Sequence, residues 1–431
     1  MKFTGYLKQF ALTVALSLAI AAGINAVVDP YGLFHIAHIE GFNTLKPSFL
    51  QNRLLSKAAT VRYVKPEGII LGTSRAEQGY NPDHSGWQSA APRYNLATPS
   101  ATMHRTYRYL QHAQSIHPVK QVVLALDFLS FNAYQNAGPI RPYMNVSYAG
   151  KPRPLSRWAE VVPSLLSFNA LDASYKTVTS QDLEAVRTTY FPNGFQYKSS
   201  RAFQFRAPFL KGCRRFIEAV YFPPPRRAYA FQAGPGQRST LEAFRELVVT
   251  AHQEQMDLRM VINPTHAYLM EVLDRSGLWD EFEQWKQALT AINAEEAARR
   301  NAKPFPLWDF SGYNSVTTQS IPKERIPNSD AYFYFDASHF KPRVGSWVLD
   351  RLFSYEAVGH QPPKDFGRRL TQETVAAHLE AIRAAQVRYR HAHADEVDDV
   401  AEAIAKPLKR LRRLQKRAQQ PYGAGPSPQQ A

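Results

Sequence analysis

A chain of 431 residues with 44% hydrophobic content can bury a sizeable core, as one large domain or one domain with additions. Its formal net charge of +16 and pI of about 9.7 suit an anionic surface, polymer or lipid headgroup without choosing among them. The single cysteine, Cys213, excludes an intramolecular disulfide and a cysteine-built metal site, and in its apolar and basic surroundings reads as a plain structural thiol.

The chain opens with Lys2 and Lys8 and no acid, then runs from Phe10 to Val28 without a charge. That length approaches the roughly 20 residues a helix needs to cross a bilayer. The lysines belong on the cytoplasmic side and the rest of the chain beyond the membrane. Ile24-Asn25-Ala26 is a poor cleavage site, so the segment reads as an uncleaved anchor over 10–28 behind a stub at 1–9. Residues 29–65 form a neck with one helix near 47–63.

Gly68-Ile69-Ile70-Leu71 is a short apolar run suited to a buried parallel strand, and it stops abruptly in Gly72-Thr73-Ser74-Arg75. In an open α/β sheet, ligands sit beyond the carboxyl ends of the strands, which puts Ser74 at a crevice mouth. The competing reading is that Thr73 or Ser74 caps a following helix. A second strand falls at 93–97, a helix runs from Pro99-Ser100 to Gln114, and a third strand covers Gln121 to Asp127. Strand, helix, strand at this spacing gives right-handed crossovers and a parallel sheet.

From about 138 to 238 the alternation breaks into a stretch rich in proline, arginine and aromatics, as in Tyr221-Phe222-Pro223-Pro224-Pro225-Arg226-Arg227. It reads as an insertion with short helices such as 155–168 and 180–188, packed beside or over the carboxyl edge of the sheet. Alternation resumes with a helix at 239–255, a fourth strand at 258–263, a helix at 271–301, a fifth strand at 306–310, a polar loop at 311–343 and a closing helix at 344–355. The fold class is α/β: a doubly wound, mostly parallel five-stranded sheet, with the main domain over 66–360. Helices at 371–388 and 395–418 make a C-terminal helical extension over 361–418. It carries a basic run from Lys406 to Arg417 that reads as a solvated interaction tail, and 419–431 is low-complexity and disordered.

A serine hydroxyl is a weak nucleophile unless a base lies within hydrogen-bond reach and a third group orients that base. Asp336 and His339, three residues apart in the last polar loop, have the spacing for a carboxylate to fold back on Nδ1 and leave Nε2 facing Ser74. The Ser74 backbone N–H is the natural first donor to an oxyanion, and the side-chain amide of Asn95 or Asn132 is a candidate second. A turn residue bonded to its own backbone is the alternative for both amides. Arg75 either binds an acidic or sugar-bearing substrate or pairs with Asp127. His266, after the fourth strand, either lines the pocket or is structural. Asp309 is an alternative orienter or caps the turn at Ser311-Gly312. No metal site, nucleotide loop or cofactor is expected, and an extracytoplasmic chain with no nucleic-acid-binding fold is not expected to bind nucleic acid.

A strand leading to Gly-Thr-Ser-Arg, an Asn at the second strand end, an Asp at the third with an Asn beyond, and a late Asp-x-x-His together resemble the SGNH (GDSL-like) hydrolase superfamily over residues 60–355. The likeness is to its membrane-anchored bacterial branch, which works beside membrane-bound O-acyltransferases on cell-envelope polysaccharides. The resemblance implies Ser74 as nucleophile, His339 as base and Asp336 as orienter, within a flavodoxin-like sheet. The chain departs from the pattern at Thr73, where the family has Asp. It also departs at 95–100, which lacks the oxyanion glycine, and at Leu126-Asp127-Phe128, which is not Gly-x-Asn-Asp. The implied protein is an extracytoplasmic esterase or O-acyltransferase acting on a polysaccharide through an acyl-serine. The alternative is an inactive envelope scaffold or polysaccharide-binding protein on the same fold.

Overall fold

The computed structural model describes residues 2–87, 91–135, 146, 158–183, 188–198, 205–325, 332–356, 359 and 361–419. Its centre is a six-stranded sheet. The strands are β1 (Gly68–Leu71), β2 (Arg93–Asn95), β3 (Gln121–Leu126), β6 (Asp257–Ile262), β7 (Leu307–Asp309) and β8 (Arg368–Arg369), while β4 (Thr188–Tyr190) and β5 (Gln196–Lys198) form a separate hairpin. The sheet order is β2-β1-β3-β6-β7-β8. The first five run parallel, and β8 pairs antiparallel with β7 through Trp308 with Arg369 and Asp309 with Arg368. Each expected strand is present within two residues of its expected ends. The sixth was not expected, because two arginines carry no apolar alternation for a sequence pattern to register.

β1 and β3 are buried along their whole length, since helices cover both faces of the sheet. Helices Phe49–Val64 and Met103–Gln114 pack around the β1 and β2 side, and Thr240–Gln253 lies between Met103–Gln114 and Trp279–Ala298. A core of residues such as Ile69, Val122, Leu124, Met260, Phe244 and Trp285 holds the layers together.

The chain begins with helix Lys2–Val28, whose stretch Thr4–Val28 is long and apolar enough to cross a membrane or to act as a signal sequence. Its last turns pack on helices Trp158–Leu165 and Phe168–Thr179 from the inserted region. There Asn25, fully buried, donates to the Leu165 carbonyl at 2.7 Å and accepts from the Ser174 hydroxyl at 2.8 Å.

One expectation within the inserted region changes. The helix expected at 180–188 is not formed: the helix before it ends at Thr179, and Thr188 opens the β4–β5 hairpin, with 184–187 outside the described residues. Asn193-Gly194, with Gly194 at φ +79°, supplies the tight turn that this hairpin needs. Helix Arg206–Arg215 then packs against Ala267–Arg275 and the C-terminal helix Ala394–Gln419.

That C-terminal helix is therefore no free tail. Val400, Ile404 and Leu411 are buried on its inner face, and Arg206 pairs with Asp395 at 3.0 Å and Asp399 at 2.6 Å. Lys406, Lys409, Arg412 and Arg413 lie on the exposed face. The amphipathic period explains why the basic run folds: one stripe buries apolar area while the other stays in water. Residues 420–431, expected to be disordered, lie outside the described residues.

Candidate active site

β1 ends at Leu71, and Gly72 turns the chain at φ +152°. A side chain there would meet Ala125 Cβ and its carbonyl at 2.9 Å and Ala76 Cβ at 3.0 Å, so only glycine fits. Thr73 is the cap of the short helix Ser74–Gly79: its hydroxyl accepts from the Arg75 N–H at 3.3 Å. The same hydroxyl donates to Asp127 Oδ2 at 2.5 Å. The two competing readings of Thr73-Ser74 thus divide between neighbours. Thr73 takes the capping work, and the Ser74 hydroxyl is left for another partner.

That partner is His339, 265 residues later, with Ser74 Oγ 2.9 Å from Nε2. Both Asp336 oxygens lie 2.9 Å from Nδ1 of the same ring. Asp336 Oδ1 also accepts from the backbone N–H of Ser338 at 2.8 Å and of His339 at 3.0 Å, so the loop is wound around its own carboxylate. Burial opposes the charge of Asp336, but the His339 ring, Lys198 and the Ser338 N–H together hold its carboxyl well below the usual carboxylate range. With Asp336 ionised, Nδ1 donates and Nε2 is free to accept from the serine. All three side chains are half-buried, open to a ligand.

The loops meet because two helices touch nearly backbone to backbone. Gly79 closes the Ser74 helix, and Gly345 lies in helix Pro342–Phe353, directly after the His339 loop. A Cβ on Gly345 would stand 1.7 Å from the Gly79 carbonyl oxygen, and one on Gly79 would stand 2.1 Å from Phe340. Phe340 in turn lies against Tyr80, with ring centroids 5.4 Å apart. The missing side chains let the imidazole come down onto the hydroxyl.

Arg75 pairs with Asp127 at 2.6 Å, donates to Thr265 Oγ1 at 3.1 Å and reaches Ser338 Oγ at 3.2 Å. It is buried, and its bonds tie the ends of β1, β3 and β6 to the His339 loop. Asp127 likewise serves the frame, accepting also from Asn263 Nδ2 at 3.0 Å. Asn263 in turn accepts from the buried Tyr80 hydroxyl at 2.5 Å.

Three other expected pocket residues are structural. Asn95 is fully buried; its amide donates to the carbonyls of Ala76 and Tyr80, both at 2.9 Å, and its oxygen accepts from the Ala97 N–H. It holds the Ser74 helix on β2 and has no N–H left for an oxyanion. Asn132 donates to the Tyr221 and Ala228 carbonyls and fastens the inserted region. His266 caps helix Ala267–Arg275, bonds the Gln319 carbonyl at 3.0 Å, and has its pKa pushed down to about 4 by burial. Asp309 accepts from Ser311 N and Oγ and pairs with buried Lys286 at 2.6 Å, which makes it a turn cap far from the role of orienter. Cys213 is fully buried, and burial pushes its thiol up.

No described group accepts from the Ser74 backbone N–H, which as the first residue of its helix has no intrahelical partner. The sequence named this N–H as the first donor to an oxyanion, and the structure leaves it without a described acceptor; the side-chain amides of Asn95 and Asn132, its candidates for a second donor, are bonded elsewhere. No protein-family model and no curated protein matches the chain, so the functional reading rests on this geometry.

Proposed function

We propose that the protein is an SGNH-like serine esterase or O-acyltransferase, anchored by helix Lys2–Val28 with its bulk outside the cytoplasm, that moves an acyl group to or from a cell-envelope polysaccharide. The observation that carries this reading is the Ser74–His339–Asp336 relay, with both links at 2.9 Å. The five parallel strands in the order β2-β1-β3-β6-β7 match the doubly wound order of flavodoxin-like sheets, whose ligands sit at the carboxyl edge where this relay lies. The exposed apolar side chains of helix Lys2–Val28 support the anchor.

The chemistry follows from the contacts. Ser74 Oγ attacks the acyl carbonyl while His339 Nε2 takes its proton, and Asp336 stabilises the imidazolium. The Ser74 N–H donates to the oxyanion of the tetrahedral intermediate. Collapse expels the leaving alkoxide, which takes the proton from Nε2 and leaves an acyl-serine. A sugar hydroxyl or water then attacks, giving its proton to Nε2, and the second collapse frees Ser74.

A serine-directed fluorophosphonate should label the detergent-solubilised full-length protein at Ser74. Ser74→Ala should abolish labelling and acyl transfer while changing unfolding free energy by less than about 0.5 kcal/mol, since it removes one half-exposed hydroxyl. His339→Ala should lose labelling in a protein that still folds. Acyl transfer that survives Ser74→Ala removes the serine from the mechanism; an unaltered protein that neither labels nor transfers an acyl group leaves the scaffold reading.

A further inference from the structure

A cleft of about 710 Å³ opens beyond β7, between its terminal loop, the β8 segment and helix Val375–Ala392. Five cationic side chains line it: Arg351, Lys364, Arg368, Arg369 and Arg388. Against them stand two carboxylates, both engaged. Asp309 is paired with Lys286 and His378, and Asp365 accepts from Ser315 N and Oγ at 2.7 Å.

The imbalance is local. On helix Val375–Ala392 itself, Arg383 pairs with Glu283 and Arg390 with Glu271. By contrast, Lys364, Arg368, Arg369 and Arg388 are exposed, and no described carboxylate pairs with any of them. Arg351 bonds the Pro363 carbonyl at 2.9 Å, while its Nε is buried and unbonded. Unpaired guanidinium forks around a concave wall form a receptor for carboxylate or phosphate oxygens. The wall also presents the rings of Trp308 and Tyr313, both half-buried. An aromatic face receives the C–H face of a sugar ring.

We propose that this cleft binds a segment of an anionic polysaccharide, its charge carried by carboxylate or phosphate. Its position favours a polymer over a lipid headgroup. The neck helix Phe49–Val64 packs at the β2 edge of the sheet, and the cleft lies at the opposite, β8 edge. It also opens beyond the same carboxyl ends as Ser74. β1 and β7 are three strand spacings apart, about 14 Å, a distance that a few sugar units span. That the cleft holds the acyl acceptor for Ser74 rests on the proposed function; that it binds an anionic glycan does not.

The test is equilibrium binding to the full chain in detergent carrying Ser74→Ala, so that no acyl transfer enters the readout. The probes are a galacturonate hexamer, a phosphate-bearing oligosaccharide and the neutral cellulose hexamer. One or both anionic probes should bind, more weakly as ionic strength rises, and the neutral one should not. The exposed pair Arg368→Ser/Arg388→Ser should weaken binding at least tenfold, and the lysine pair at the same positions should restore most of it. Lys406→Ser/Lys409→Ser, which removes equal charge from the outer face of helix Ala394–Gln419, should leave binding unchanged. Equal loss in that control, equal affinity for the neutral hexamer, or no binding of either anionic probe overturns the proposal. So does tight binding to phosphatidylglycerol vesicles that disappears with Arg368 and Arg388. Absence of fluorophosphonate labelling at Ser74 in the unaltered protein would sink the enzyme reading alone.

Discussion

At the scale of single residues, the relay is held by a side chain that does no chemistry. Arg75 is buried against Asp127 and bonds three loops at once. Removing one partner of a buried ion pair leaves an uncompensated charge, costing about 3–5 kcal/mol. Arg75→Met should therefore destabilise the protein by that amount in urea unfolding, and Arg75→Met/Asp127→Leu by distinctly less than the sum of the two single changes. Equal additivity would mean that the pair is not coupled. Ser74, His339 and Asp336 were legible in the sequence because strand-end position and an i, i+3 spacing are readable along the chain. Asn95 and Asn132 were misread for a physical reason: a short amide looks the same whether it faces a ligand or a carbonyl, and only the fold decides. For Arg75 the sequence offered both outcomes without the burial that chooses between them.

Secondary-structure elements bring the two halves of the relay together by approach, not by adhesion. Helix Pro342–Phe353 sits on helix Ser74–Gly79 with no side chain between Gly345 and the Gly79 carbonyl. Gly345→Ala must push the helices apart, at about 1–3 kcal/mol for overpacking. Because His339 precedes that helix, fluorophosphonate labelling should fall much further than stability does. Gly212→Ala is the control in the same neighbourhood, since its Cβ would meet only Ala337 at an ordinary 3.7 Å. Equal labelling by both variants would refute this account. Apolar runs made the parallel strands legible, but nothing in a linear pattern says that two glycines 266 residues apart will meet. β8 was invisible for the opposite reason, being an edge pair held by its neighbour and not by its own preference. The hairpin at 188–198 was readable and missed: Asn193-Gly194 between two short β-prone runs is a turn signal.

For the molecule as a whole, part of the titration behaviour follows from two sealed imidazoles, with His35, His84, His104 and His252 also pushed down by burial. Burial pushes His112 and His266 each down to about 4, against 6.5 when exposed. Between those values the unfolded chain binds protons that the folded chain refuses, so stability is lost as pH falls from 6.5 towards 4. Each site adds a slope of up to about 1.4 kcal/mol per pH unit in mid-window. Urea midpoints measured across that range should fall steeply, and His112→Gln, which keeps a donor for the Ala58 carbonyl, should remove one proton's share of the slope. A slope unchanged by that substitution would place the linkage elsewhere. The grip of Ser174 and Leu165 on Asn25 has a consequence of a different kind. Under the proposed function, an anchor joined to the α/β body by a loose tether would let Ser74 sweep a wide hemisphere of the envelope. Here the last turns of helix Lys2–Val28 are bolted to the body, so under the proposed function the working height and heading of Ser74 would be set by how that helix sits in the bilayer, and only glycan delivered to that altitude would be acylated.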